Sequence, residues 1–309
     1  MPLITDSLQL QEIDVNVFTS LPGILEKPKN ARGVFGGQVI AQAVLAATKR
    51  APEGFVLHSL HSYFLAAASS SLPLIFFTDL LRQGRSYATF SVYATQKGVK
   101  IFYLICSFKS TEDGALSFQM KLPETVPRPS DCVLREDRLQ TFLDQSHSWP
   151  SAVRVTLQNV VNERRDSAIA IMDAPLPESM RPQRAFWLKV KGIEVGALDR
   201  GMQKAVLAYL SDFLFIGTAH RPLGITNSLE PGKGKYELGM NVSLDHTIWF
   251  YDNDFDTCNW LLHLMEPIVG GDGRATVHGK IFTEHGKLVA VTTQEGVVRP
   301  KRPAGSSKL

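Results

Sequence analysis

The chain has 309 residues, enough for two domains of ordinary size, and is 44% hydrophobic and 20% charged, the balance of a soluble globular protein. Its net charge of +3 is too small to argue for a nucleic-acid surface, although it suits an anionic small ligand. No apolar run reaches the roughly 18 to 20 residues of a membrane span. The three cysteines, Cys106, Cys132 and Cys258, lie far apart with no CxxC, which fits a reducing compartment and no structural metal.

The N-terminal "MPLITDSLQLQEIDV" carries acidic residues and no basic region followed by an apolar core, so neither a secretory signal nor a transit peptide is expected. In "VFGGQVIAQAVLAATKR", apolar residues at helical spacing predict a helix over 38–48, and its small side chains would let it sit close against a sheet. Extended runs follow over 56–65, 74–81, 86–95 and 100–110, with turns near Gly84 and Gly98. "GRSYA" resembles a loose nucleophile elbow, but an elbow needs a helix after the serine and a strand-like run follows, so Ser86 is rejected as a nucleophile. Residues 116–183 are richer in proline and charge and read as a connector running over the surface, with a helix in "REDRLQTFLDQ". "GMQKAVLAYLSDFLF" predicts a second apolar helix. "MNVSLDHTIWFY", "NWLLHLMEPIVGG", "GRATVHGKIFTEHG" and "KLVAVTTQEGVV" then read as strands. The tail "RPKRPAGSSKL" ends in Ser307, Lys308 and Leu309, a peroxisomal address that an import receptor reads.

One pattern thus occurs twice. Ala205-Val206-Leu207-Ala208 echoes Ala43-Val44-Leu45-Ala46 at an offset of 162 residues, the turn glycines Gly98 and Gly286 match at 188, and His61 matches His246 at 185. The second copy carries an insertion between its helix and the following strand. Each copy is a helix followed by antiparallel strands, an α+β unit, and two side by side make a pseudo-dimer. The division expected is 1–115, a connector over 116–183, 184–300, and a flexible tail over 301–309.

The Gly-Gly-Gln opening the first helix, "HSLHSYFL", "RQGRSY", "LDHTIWF" and "QEGVVR", in this order, resemble the acyl-CoA thioesterase II family over roughly residues 10 to 300. The resemblance implies a double hotdog: a long helix wrapped by a curved antiparallel sheet, twice in one chain. It implies hydrolysis of acyl-CoA to a fatty acid and CoA, with no metal or redox cofactor. It also implies a catalytic set of an Asp, a Thr or Ser, and a Gln, which fall here on Asp212, Ser243 and Gln294.

Asp212 lies toward the C-terminal end of an apolar helix, where the helix dipole disfavours an anion, so a raised pKa useful to a base is expected. At the offset of 162 the first copy has Arg50, which predicts one active site per chain. Ser243, taken alone, is an ordinary strand serine; in the family its role is to orient water with Gln294. Its counterpart in the first copy, to within one residue, is His58. His58 and His61 are three apart on a strand and face opposite ways, so a shared metal is not expected; a supporting role for His58 near substrate is. Gly36 and Gly37, at the start of the first helix, are expected to offer backbone N–H groups to the substrate oxyanion. The rival functions are a non-catalytic acyl-CoA-binding protein and a hotdog enoyl-CoA hydratase. The hydratase would need an Asp–His pair in one helix segment that neither helix has. Exposed sheet edges suit a homo-oligomer.

Overall fold

The computed structural model describes residues 3–29, 31–112, 114–145, 149–226 and 234–301. Ser307, Lys308 and Leu309 therefore lie outside the described residues. A short helix α1 (Ile4–Ser7) and a hairpin of β1 (Leu10–Asp14) and β2 (Val17–Ser20) precede the first long helix, α2 (Gly36–Thr48). Four strands follow: β3 (Phe55–Phe64), β4 (Ile75–Gln83), β5 (Tyr87–Gln96) and β6 (Val99–Ser110). Then come β7 (Val133–Leu134), α3 (Arg135–Gln145), α4 (Ser151–Asp166), β8 (Ile169–Ala174), β9 (Arg184–Val190) and α5 (Arg200–Ser211). The chain closes with β10 (Ile225–Thr226), β11 (Tyr236–Ser243), β12 (Asp245–Phe250), β13 (Leu261–Gly271), β14 (Arg274–Thr283) and β15 (Leu288–Pro300).

The strands join into one sheet in the order β1-β2-β4-β5-β6-β3-β12-β15-β14-β13-β9-β8-β7, with β11 paired to β15 beyond the end of β12. The seam between the two halves is the antiparallel pair β3–β12, where Asp245 faces Tyr63 and Trp249 faces Ser59. Each half wraps one helix, and the fold is the expected α+β double hotdog. One apolar core runs from Ile40 and Val44 in α2 to Val206 and Leu210 in α5, and both helices are buried nearly all round, which matches their lack of a polar face. Gln38, fully buried in α2, is satisfied three times: its Nε2 donates to the carbonyls of Ser7 and Ile24, and its Oε1 accepts from Glu26 N–H. That ties the N-terminal segment to the helix.

The structure departs from the connector reading of 116–183. β7 and β8 extend the sheet beyond β9, and α3 and α4 pack on each other through Leu139, Leu143, Leu157 and Val161. The stretch before them covers the outer face of the second half, where Leu122 and Val126 pack near Trp187, whose indole N–H donates to the Pro127 carbonyl. The prolines and charges reflect this irregular outer cover rather than a free linker.

The pairing of His61 with His246 is also off by one residue. His246 is buried on the helix side of β12, whereas His61 is exposed and packs edge-on against Trp249. A one-residue shift along a strand exchanges the two faces.

The two helices lie antiparallel, with the start of α2 against the end of α5 and the start of α5 against the end of α2. A Cβ added to Gly37 would stand 2.5 Å from the Tyr209 carbonyl oxygen and 2.6 Å from the Phe35 ring. One added to Gly201 would stand 2.8 Å from Thr48 Cγ2. Asp212's counterpart at the far end of the pair is therefore Thr48, and not Arg50, because helix packing rather than loop length sets the offset. Gly37→Ala must push backbone against backbone. We expect it to cost about 1–3 kcal/mol, as overpacking typically does, read as a lower denaturation midpoint in urea at unchanged slope.

Candidate active site

Helix α2 begins after Phe35, whose side chain cannot cap the first N–H groups. The cap comes from the other half of the molecule. Asp212, the residue that ends α5, accepts the Gly37 N–H at 2.8 Å through Oδ2. A Cβ on Gly36 would stand 2.9 Å from that same oxygen, so glycine at both positions permits the approach. Asp212 stands at the unfavourable, C-terminal end of its own helix. The fold compensates by setting the carboxylate at the positive end of α2. The other carboxylate oxygen, Oδ1, accepts from Gln294 Nε2 at 2.7 Å.

Gln294 is fully buried in β15 and points to the helix side of the sheet. Its Nε2 also lies 3.2 Å from His246 Nδ1. Its Oε1 is buried and has no hydrogen-bond partner among the described residues. Burial pushes the Asp212 carboxyl above the ordinary value of 3.8, while the hydrogen bonds from Gln294 and Gly37 pull it back part of the way. Asp212 as a residue is half-buried.

Ser243 ends β11 opposite Gly296, two residues along β15 from Gln294, and so shares the inward face with it. It is half-buried. The break between β11 and β12 falls at Leu244, whose N–H donates to Glu295 O, and this brings Ser243 alongside the Gln294 region. Its hydroxyl does not bond Gln294 Oε1, which has no partner.

The structure brings Asp212, Gln294, Gly36 and Gly37 together and sets Ser243 beside them. His58 is elsewhere. It sits six residues along β3 from Phe64, the ring that a Cβ on Gly36 would touch, or about 20 Å at the rise of a strand. There it packs edge-on against Tyr87, and burial with Lys109 and Lys204 nearby holds it below its ordinary pKa. The role expected for His58 near substrate is thus not supported, because a counterpart in the first copy belongs to the opposite end of the helix pair, where Lys204 is among the charges acting on it. The Gly37 expectation changes too: its N–H is given to Asp212, which leaves the Gly36 N–H at the helix start without a carbonyl one turn behind it. Ser86 lies exposed in the turn joining β4 to β5, as expected for a hairpin.

Two parts of the site were not anticipated. Phe35, Tyr209 and Phe213 form an aromatic cluster beside Asp212, with ring centroids 4.8 to 5.5 Å apart, and the Arg164 guanidinium stands over Phe213 at 5.4 Å. His246, with Ser211, lies behind Gln294. The apolar spacing of "AYLSDFLF" hints at the first; no local signal marks the second.

A solved acyl-CoA thioesterase II from Mycobacterium marinum has this architecture, with a TM-score of 0.71 at 26% identity, covering 98% of this chain and 100% of that one. Fold and site together therefore define a hotdog thioesterase. Residues 25–109 match the family model of the acyl-CoA thioesterase N-terminal domain, and residues 129–298 match that of the C-terminal domain. Human acyl-coenzyme A thioesterase 8 is 32% identical over 313 residues, covering 99% of this chain and 92% of its own. Acyl-CoA thioesterase 2 of Haemophilus influenzae is 34% identical over 300 residues, covering 94% and 95%. The chain belongs to the acyl-CoA thioesterase family and is a thioester hydrolase.

The electrostatics of Asp212 can be checked directly. Carboxyl carbon NMR should give a titration midpoint above 3.8. Gln294→Leu should raise it further, because the lost hydrogen bond favoured the charged form. A midpoint at or below the ordinary value would contradict the site's description.

Proposed function

We propose that the protein hydrolyses fatty acyl-CoA by direct attack of a water held between Asp212 and Gln294. The observation that carries this reading is the pair itself: a buried carboxylate whose two oxygens each accept one N–H, beside an amide whose carbonyl oxygen has no partner. Each carboxylate oxygen keeps a second lone pair. One takes a proton from the water while Gln294 Oε1 accepts the water's other hydrogen. The water oxygen then bonds to the thioester carbon, and the carbonyl oxygen becomes the oxyanion. The positive end of α2, with the Gly36 N–H, faces that charge. Collapse breaks the C–S bond, and the proton on Asp212 passes to the departing CoA sulfur. The products are a fatty acid and CoA, and the carboxylate is regenerated.

Ser243 adds a hydroxyl that orients the same water or the thioester oxygen. Phe35, Tyr209 and Phe213 give the acyl chain an apolar lining, and Arg164 offers a cation to the CoA phosphates. Thr48 in the place of Asp212 at the other end of the helix pair supports one site per chain. The terminal Ser307-Lys308-Leu309 supports delivery to the peroxisome by an import receptor, where the reaction would free CoA from fatty acyl groups. Among the described residues no helix is long and apolar enough to cross a membrane. The edge strands of the sheet suit assembly into a homo-oligomer.

Thiol release from palmitoyl-CoA tests the reading. Asp212→Ala and Gln294→Ala should each lower kcat by about 10²–10⁴-fold, the range for a positioned base or hydrogen-bonding group, with the fold retained. Normal turnover in either variant would refute it. Activity needs ionised Asp212, so the acid limb of the wild-type profile should fall off at a pH above the ordinary carboxylate pKa.

A further inference from the structure

His246 is fully buried in β12, one residue from Asp245 and across the seam from Ser62, whose hydroxyl donates to the His246 carbonyl. Its Nε2 is 2.8 Å from Ser211 Oγ, and Ser211 Oγ is 2.8 Å from the Ala208 carbonyl oxygen. These contacts have a direction. A carbonyl only accepts, so the Ser211 hydroxyl hydrogen goes to Ala208. Ser211 Oγ is then an acceptor toward His246, and the imidazole hydrogen sits on Nε2. That leaves a lone pair on Nδ1, which must face a donor. The Gln294 atom 3.2 Å away is therefore the amide nitrogen. One of its hydrogens goes to His246 and the other to Asp212 Oδ1. The carbonyl oxygen is left without a partner among the described residues.

We propose that His246 is a positioning residue that fixes which end of the Gln294 amide meets the water, and that it does so independently of the protonation state of Asp212. This rests on the reading of Asp212 and Gln294 as the pair that holds the water. Asp212 alone could not supply that independence. While it is a carboxylate, Asp212 holds the NH₂ end of the amide by itself. Once it has taken the water's proton it becomes a donor, and a donor would favour the amide turned about, with Oε1 toward Asp212. The lone pair on His246 Nδ1 opposes that turn, because a reversed amide would set oxygen against it. The orientation thus survives the step in which the carboxylate loses its charge.

Neutrality of the ring is required, since a proton on Nδ1 would meet the Gln294 N–H. Burial meets that requirement by pushing His246 down to about 3. The groups packed around the ring are consistent with it: Phe215 lies edge-on at 5.6 Å, and His263, which also packs on Phe215, is itself held down to about 3 by burial and by His246. Asp212 is the one carboxyl in this network, and it reaches the ring through Gln294.

Nitrogen NMR of wild-type protein labelled at histidine tests the direction of the chain without reference to catalysis. His246 should show a protonated Nε2 and a bare Nδ1 at neutral pH; the opposite tautomer overturns the proposal. Kinetics test its consequence. His246→Leu should lower kcat at least about tenfold with KM near wild type. His246→Asn, whose Oδ1 can stand in for the Nδ1 lone pair, should recover most of that loss. Recovery by Asn and not by Leu is beyond a merely structural role. If both variants turn over like wild type while Gln294→Ala is inactive, the positioning role fails and the catalytic reading stands. If Gln294→Ala is itself active, the catalytic reading fails first. Should His246→Leu not fold, Ser211→Ala keeps the test open: it frees the Nε2–H of its acceptor, so kcat must fall, and an unchanged kcat overturns the proposal.

Discussion

The contact on which the rest of this structure depends is the one between the Gly37 N–H and the Asp212 carboxylate. An anion at the end of a helix, in a half-buried place beside aromatic rings, is unfavourable on both counts. It is tolerated because the two long helices run antiparallel, so the negative end of one meets the positive end of the other. The carboxylate caps a helix that has no cap of its own. In return it gains a donor and a favourable dipole. Two glycines make the approach close enough, and their cost in helix propensity is offset by that contact.

The same antiparallel pairing creates two such junctions, and the chain treats them differently. At one, Gly36 and Gly37 face Asp212. At the other, Gly201 faces the methyl group of Thr48, whose hydroxyl is turned back to the Val44 carbonyl. Further along α5 stands Lys204, buried between the rings of Phe250 and Phe255, donating to the Asp252 carbonyl, and pushed down to about 7 mainly by burial. One end of the duplicated fold thus holds the carboxylate, and the other is filled with packing. Release from a symmetric constraint lets Gln294, Ser211 and His246 form a directed chain in one half only.

Much of the fold was legible in the sequence. The helix at 36–48, the four strands after it, and the strands that close the second half follow from apolar periodicity and turn glycines, because these elements are long and buried. The short strands β1, β2 and β8, and the polar helix α4, were not legible. A strand of four to six residues carries too little pattern, and "SAVRVTLQNVVNERRD" mixes β-branched residues with a weak apolar face. Asp212 and Gln294 were found through resemblance. A buried amide in an apolar strand is also a signal in itself, since it costs free energy unless bonded.

What the sequence determined by itself was a duplicated α+β chain, its family, and the identity of a carboxylate and an amide that do not belong in apolar surroundings. Only the tertiary structure decided what surrounds them. It replaced Arg50 by Thr48 as the counterpart of Asp212, moved His58 away from the site, spent the Gly37 N–H on the carboxylate, and set His246 behind Gln294. Each of these depends on register, in which one residue exchanges the faces of a strand, or on the packing of two helices separated by more than a hundred residues. Local pattern fixes which side chains can be buried; contact across the seam fixes which of them meet.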